Sequence, residues 1–128
     1  MTDEVKGWLN YAARDLKAAR GLVRLEMYAN ACIDAQQAAE KAIKAFILAT
    51  GKSIPRSHNL VDLAELTAEP VLLAMVDELR ALSKYYLPLR YPDSVNGLGG
   101  KGEPSKTEAL KAVKTAKACL KIVADNLP

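Results

Sequence analysis

The chain has 128 residues, of which half are apolar and only 5% are aromatic, and its formal net charge is +3 with a pI close to 8.9. This length suits one domain, spanning 1–128, that buries its own hydrophobic core. The charge is smaller than that of a dedicated duplex-DNA binder, and no apolar run approaches the roughly 20 residues that a membrane span needs.

The first half of the sequence predicts two long helices. Apolar residues recur at three- and four-residue steps from Asp3 to about Arg24, and again from about Tyr28 to Thr50. This spacing places them on one face of a helix, and Gly51 offers a C-terminal cap for the second helix. The opposite side of the first helix is basic, with Arg14, Lys17, Arg20 and Arg24.

The second half predicts three further helices. A short one follows a connector and takes Ser57 or Asn59 as its N-cap. Another begins near Pro70, because proline suits the first turn of a helix, and its apolar stripe extends to Tyr86. The last begins at a capping box in 105–108. Its exposed side is predicted to carry Lys111, Lys114, Lys117 and Lys121.

The segment 87–104 interrupts the helical pattern. It holds three of the six prolines and four of the seven glycines, so we predict a long loop there. Loops of this length in small domains are uncommon and are often functional or disordered. No segment alternates apolar and polar residues as a half-buried strand does. The predicted fold class is all-α, an antiparallel up-and-down four-helix bundle with one short additional helix.

The cysteines and the N-terminus indicate the environment of the protein. Cys32 and Cys119 lie within apolar helical patterns, and neither has a Cys or His at a metal-ligand spacing. We therefore predict buried free thiols and no metal site. The first residues are acidic, unlike those of a secretory leader. We expect a cytoplasmic protein that does not associate with a membrane, and no motif indicates a bound cofactor.

The densest polar chemistry lies between Tyr85 and Asp93. In this segment three of the five tyrosines flank Arg90, which stands between two prolines. A guanidinium can bind phosphate through two hydrogen bonds and a phenol ring can stack on a base, so the segment suits a nucleotide. The alternative is that the tyrosines cap the bundle and Arg90 pairs with Asp93.

A second polar group lies on the alanine-rich second helix. Gln37, Glu40, Lys41 and Lys44 fall in one helical neighbourhood, and three of them, Gln37, Glu40 and Lys44, line up along one side. Polar residues among so many alanines could line a cleft. The alternative is a solvated ion pair between Glu40 and Lys44, which are correctly spaced for one.

His58, the only histidine, begins the short third helix beside Asn59. We interpret it as a capping or turn-stabilising residue, because no partner base or nucleophile is visible in the sequence. A single histidine also cannot form a paired-histidine ribonuclease site within one chain. The sequence contains neither a His-Glu-x-x-His helix nor a Walker loop, and the glycine cluster at 97–102 lacks the Gly-Lys-Ser/Thr ending of one.

Three stretches in order resemble the HEPN domain, named for higher eukaryotes and prokaryotes nucleotide-binding. They are Ala35-Gln36-Gln37-Ala38-Ala39-Glu40-Lys41-Ala42-Ile43-Lys44-Ala45, then Ser57-His58-Asn59-Leu60, then the segment that ends in Arg90-Tyr91-Pro92-Asp93. The resemblance covers nearly the whole chain. It implies a four-helix bundle with a short extra helix, commonly a homodimer, found in prokaryotes beside a small nucleotidyltransferase. Some such pairs behave as toxin and antitoxin.

The resemblance also indicates which residues contact a nucleotide. Many family members are metal-independent ribonucleases that use an arginine followed four to six residues later by a histidine. No histidine follows Arg90 here, and His58 precedes it by a long interval. The residues that carry over as candidate nucleotide contacts are Gln37, Glu40, Lys44, Tyr86, Arg90, Tyr91 and Asp93.

Three hypotheses follow from the sequence. The first is a non-catalytic module that binds a nucleotide or RNA, forms a dimer and acts with a nucleotidyltransferase. The second is an enzyme, a degenerate metal-independent ribonuclease that uses Arg90, a tyrosine and His58 brought from elsewhere in the fold or the dimer. The third is a structural module whose basic faces are only solvated and which docks a partner helix.

Overall fold

A computed structural model describes residues 1–86 and 102–128 of the chain. Within these ranges the secondary structure is entirely helical, which confirms the predicted all-α class. The helices are α1 (Asp3–Arg24), α2 (Tyr28–Ala49), α3 (Leu60–Thr67), α4 (Pro70–Leu73), α5 (Val76–Ser83) and α6 (Lys106–Asn126).

The first two helices form an antiparallel pair, with bounds close to those predicted. The Thr2 hydroxyl accepts a hydrogen bond from the Val5 amide and so caps α1 at its N-terminus. In the turn that follows α1, Glu26 adopts a positive φ of 60° and the Met27 amide donates to the Leu22 carbonyl. This turn is tight enough to return α2 directly along α1.

Helix α2 is the central element of the fold. It packs against α1 and α6 and also contacts α3 and α5, so most of its circumference is covered. The side chains at these contacts are small, and Ala35, Ala38, Ala39 and Ala42 are all fully buried. Alanine has no atoms beyond Cβ, so neighbouring helices can approach α2 closely. Only a narrow strip of α2, which includes Gln37 and Lys41, remains partly exposed.

The short helices differ from the prediction in one respect. Asn59 is the N-cap of α3, since its side chain accepts from the amides of Val61 and Asp62. The single helix predicted from Pro70 to Tyr86 is divided into α4 and α5. At the break the Met75 amide donates to the Leu72 carbonyl, a tighter i, i−3 bond than an α-helix makes. Neither glycine nor proline marks this position, so the sequence pattern could not predict the division.

Helix α6 follows the predicted capping box. The Ser105 hydroxyl accepts from the Glu108 amide, and the Glu108 carboxylate accepts from the Ser105 amide. Both cysteines are buried free thiols, as predicted, and burial raises the pKa of Cys119 to about 12. The long loop predicted over 87–104 falls largely on residues outside the described ranges.

The close packing around α2 predicts that a larger side chain at a buried alanine destabilises the fold. Ala39→Leu adds three carbon atoms at a fully buried position and should lower the free energy of unfolding by about 1–3 kcal/mol, because a well-packed core cannot accommodate them without strain. Urea denaturation monitored by circular dichroism measures the change. Ala18→Leu, on the exposed side of α1, is the matched control and should leave stability nearly unchanged. Equal stability of the two variants would contradict the close packing.

Candidate functional site

The polar cluster of the molecule is centred on the carboxylate of Glu40. This residue lies in the middle of α2 and is only 5% exposed. Its carboxylate accepts hydrogen bonds from Gln36 Nε2 at 3.1 Å and from Lys44 Nζ at 3.0 Å. Nδ1 of His58 lies 3.1 Å from both carboxylate oxygens. We call these four residues, together with Tyr86, the Glu40 cluster.

Local structure explains how the cluster is assembled. Gln36, Glu40 and Lys44 are one helical turn apart, so they share one side of α2. The connector before α3 brings His58 to that side, and Gln36 Nε2 also donates to the His58 carbonyl at 3.3 Å. The position of the connector is fixed further by the Leu60 amide, which donates to the hydroxyl of Ser83 on α5.

The cluster reaches the surface through two stacked rings. The imidazole of His58 and the phenol ring of Tyr86 lie with centroids 4.0 Å apart and planes inclined by 17°. The His58 side chain is 42% exposed, whereas the side chains of Glu40 and Lys44 are 6% and 7% exposed. The cluster therefore has a buried ionic floor and an accessible aromatic edge.

Hydrogen bonding decides the charge of Glu40. Burial alone would raise the pKa of this carboxyl, but the hydrogen bonds from Gln36, Lys44 and His58 outweigh it and bring the pKa below its ordinary value. Glu40 is therefore ionised at neutral pH and balances the ammonium of Lys44. A buried ion pair of this kind costs desolvation energy unless its remaining hydrogen-bonding capacity is used, and here Gln36 and His58 use it.

The structure brings together several of the residues singled out in the sequence. Glu40, Lys44 and Tyr86 belong to the cluster, and Gln37 joins it indirectly, because its Nε2 donates to Gln36 Oε1. The ion pair between Glu40 and Lys44 forms as its spacing indicated, but it is buried and not solvated. The remaining candidates, Arg90, Tyr91 and Asp93, lie outside the described residues.

Two members of the cluster were not among the predicted contacts. The sequence predicts a capping or turn-stabilising role for His58; Asn59 provides the cap, and the His58 side chain instead contacts Glu40 and ties the connector to α2. Gln36 was missed altogether, although its spacing of one turn from Glu40 was a usable signal. Lys41, adjacent in sequence, instead forms an ion pair with Asp15 of α1.

The described part of the chain limits which ligands this site can hold. No group of three or more His, Cys, Asp or Glu side chains within residues 1–86 and 102–128 is arranged to hold a metal ion. In the same ranges, no helix combines the length and apolar character needed to cross a bilayer. The chemistry on offer is a stacked aromatic pair beside a hydrogen-bonded carboxylate.

Comparison with known proteins agrees with this architecture. The crystal structure of TT1696 from Thermus thermophilus is 33% identical and superposes with a TM-score of 0.82, covering 97% of this chain and 98% of its own. The archaeal HEPN homologue ST0689 is 30% identical with a TM-score of 0.78 and covers the same 97% and 98%. No curated protein sequence matches the chain.

The bundle and its polar cluster therefore define a small helical module with a candidate site beside the central helix. The sequence profile of the HEPN domain matches residues 5–126, which is nearly the whole chain. The chain belongs to the HEPN domain family, as the sequence resemblance indicated.

Removal of the Glu40 charge should be costly. Glu40→Gln leaves the Lys44 ammonium buried without its counterion, so we expect the free energy of unfolding at pH 7 to fall by about 3 kcal/mol. Urea denaturation provides the measurement. Asp125→Asn is the matched control, because Lys121 and Asp125 form an exposed pair at the same spacing, and its effect should stay below about 1 kcal/mol. A similar decrease in the free energy of unfolding in Glu40→Gln and Asp125→Asn would show that burial does not make the loss of the Glu40 charge more costly.

The low pKa of Glu40 also makes stability depend on pH. Folding favours the ionised carboxylate, so its contribution is fully present above the ordinary value of 4.5 and is lost as the pH falls below 4.5 and through the folded value. We expect the free energy of unfolding to decline more steeply below pH 4.5 in the wild type than in Glu40→Gln. Urea titrations at several pH values compare the two slopes, and parallel slopes would refute the assignment.

Proposed function

We propose that this protein is a non-catalytic nucleotide- or RNA-binding module whose ligand contacts the Glu40 cluster. The observation that carries the proposal is the ring pair of His58 and Tyr86, which stands at the surface directly above a buried, fully hydrogen-bonded carboxylate. Membership of the HEPN family supports the same class of ligand.

The ring pair suits a nucleobase for a physical reason. A base stacks favourably on any flat aromatic face, and an existing pair of nearly parallel rings needs little rearrangement to accept it. Glu40 fixes the imidazole through Nδ1, so that ring is held in one orientation. In this proposal the rings bind the base while Glu40, Lys44 and Gln36 hold the rings and the connector in place.

The other predicted contacts would complete the site. Gln37 is partly exposed at the edge of the cluster and would hydrogen-bond the base or sugar. Arg90, Tyr91 and Asp93 follow Tyr86 by a few residues, so the chain can bring the Arg90 guanidinium to a phosphate beside the ring pair. These three assignments rest on the sequence pattern alone.

The biological setting is proposed from the family. HEPN modules are commonly homodimers and act beside small nucleotidyltransferases, so we propose the same arrangement in the cytoplasm, in a toxin and antitoxin type of pair. Sedimentation equilibrium tests the dimer directly. A mass of one chain at micromolar concentration would remove it from the proposal, and nucleotide binding by the cluster would still stand on its own.

Ligand titration tests the proposal at single residues. We expect AMP to shift the amide resonances of residues near His58 and Tyr86 and to raise the melting temperature. His58→Ala and Tyr86→Leu each remove one ring, and each should weaken binding by about 1–3 kcal/mol, or roughly 5- to 150-fold. Ribose 5-phosphate, which lacks a base, should bind far more weakly than AMP. Asp125→Asn is the control variant, because its carboxylate belongs to a separate exposed ion pair.

Two outcomes would refute the binding proposal. If millimolar nucleotide shifts neither the melting temperature nor the amide resonances of the Glu40 cluster, the protein has no such nucleotide site. Unchanged nucleotide affinity in both His58→Ala and Tyr86→Leu would show that the Glu40 cluster does not bind the nucleotide. Docking of a partner helix through apolar surface is an alternative in that case, and it predicts binding that salt scarcely weakens, unlike electrostatic RNA binding.

One observation favours a ribonuclease as the second candidate. A carboxylate bound to Nδ1 of an imidazole sets the tautomer that leaves Nε2 free to accept a proton, which is how many acid–base histidines are oriented. If His58 acts in this way, His58→Ala should lower cleavage of a fluorescent oligoribonucleotide in EDTA by about 100- to 10,000-fold. Absence of cleavage by the wild type, or cleavage unchanged in the variant, would exclude it.

A further inference from the structure

An aromatic groove lies on α1, separate from the Glu40 cluster. It has a volume of about 500 Å³ and is lined by Glu4, Gly7, Trp8, Tyr11 and Lys41. This volume falls within the range of small-molecule sites. Tyr11 is 56% exposed, so a large aromatic surface is open to a ligand at this place.

Tyr11 separates this groove from a second hollow. The second hollow, of about 470 Å³, is lined by Gly7, Asn10, Tyr11 and Arg14. The Arg14 guanidinium carbon lies 5.3 Å from the centroid of the Tyr11 ring, and Lys41 Nζ lies 6.0 Å from it. The ring is therefore held by cations of two helices, with an open depression on either side.

Gly7 lies in both hollows, and packing does not explain it. A Cβ at this position would meet no atom within 4 Å, so a side chain would fit without a clash. Glycine is among the least favourable residues in a helix interior, and Gly7 lies past the first turn of α1. Its missing side chain has one visible consequence, which is to keep the floor of both hollows open beside the Tyr11 ring.

The exposed strip of α2 carries Gln37, which hydrogen-bonds Gln36 of the Glu40 cluster, and Lys41, which belongs to the groove. Lys41 lines the groove, while Gln37 and Lys44, which are adjacent to the cluster or within it, lie one helical turn away on either side. Side chains at such spacing have Cβ atoms about 5–6 Å apart. The exposed strip of α2 therefore leads from the edge of the cluster at Gln37 to the groove at Lys41.

We propose that the groove is a second base-stacking subsite, so that the ligand of this protein is a single-stranded oligonucleotide of at least two nucleotides. This inference rests on the proposed function and extends it. One base stacks on the outer face of the His58–Tyr86 ring pair, and the next enters the groove against Trp8 and Tyr11.

The charges around the groove indicate where the base and the phosphate of a bound oligonucleotide would lie. Lys41 is paired with Asp15, so the floor is close to neutral and suits an uncharged base. Glu4, at the other side, repels phosphate and can accept a hydrogen bond from an exocyclic amine of a base. Arg14 is exposed and forms no ion pair with the described residues, so its guanidinium is available to a phosphate beyond Tyr11.

The single tryptophan allows a direct test. Trp8 is the only tryptophan of the chain and lines the groove, so its fluorescence reports on this subsite alone. We expect an octamer of uridylate to quench Trp8 and to bind more tightly than UMP, and UMP to bind with little quenching. Comparison with a deoxythymidylate octamer shows whether binding requires ribose or only base stacking.

Reciprocal variants separate the two subsites. Tyr11→Ala should weaken octamer binding by roughly 5- to 100-fold and leave mononucleotide binding unchanged. Gly7→Leu should also weaken octamer binding while it raises the melting temperature, because it fills the groove and favours the helix. Tyr86→Leu, in contrast, should weaken both ligands.

The outcomes distinguish this inference from the function on which it rests. Mononucleotide binding that depends on Tyr86, with octamer binding that is no tighter and indifferent to Tyr11 and Gly7, would overturn the second subsite and leave the first. Octamer binding that depends on Tyr11 but not on Tyr86 would overturn the proposed role of the Glu40 cluster and keep the groove. Failure of both ligands to bind would overturn both proposals.

Discussion

The buried charge of Glu40 is the constraint on which the site depends. A carboxylate that is removed from water must be given hydrogen bonds and an opposite charge, or its burial costs several kcal/mol. Lys44 supplies the charge from the same helix, but the remaining capacity is met by Gln36 and by His58 of the connector before α3. The carboxylate thus fixes a segment without secondary structure against the central helix, and with it the ring that Tyr86 stacks on.

The alanine-rich character of α2 determines where such a cluster can form. Because α2 packs against α1 and α6 over fully buried alanines, the described interface between these helices is closely packed. Polar side chains are confined to the sector of α2 that faces the connector and the strip beside it. The candidate site therefore lies at the edge of the bundle, where short helices and connectors cover α2 incompletely.

Hydrophobic periodicity and capping residues predicted α1, α2 and α6 well, because both signals depend only on residues close in sequence. The break between α4 and α5 was missed, since no local residue marks it. The spacing of Glu40 and Lys44 predicted their pairing but not their burial, and the approach of His58 was not predicted at all. The burial of the ion pair and the approach of His58 both depend on which segment packs over α2. The sequence of α2 alone does not indicate that segment. The roles of Arg90, Tyr91 and Asp93 stay predictions.

Charge compensation explains why stacking, more than phosphate contact, should dominate recognition at these sites. Lys44 and Lys41, at the two candidate subsites, already have carboxylate partners in Glu40 and Asp15, which leaves Arg14 beside Tyr11 as the cation available to a phosphate among the described residues of these subsites. A phosphate that displaced either carboxylate would leave an uncompensated acid behind, so little net energy would be gained. Aromatic rings carry no such cost, because they exchange contact with water for contact with a base. The exposed basic faces of α1 and α6 can then raise the local concentration of a nucleic acid without deciding which part of it is bound.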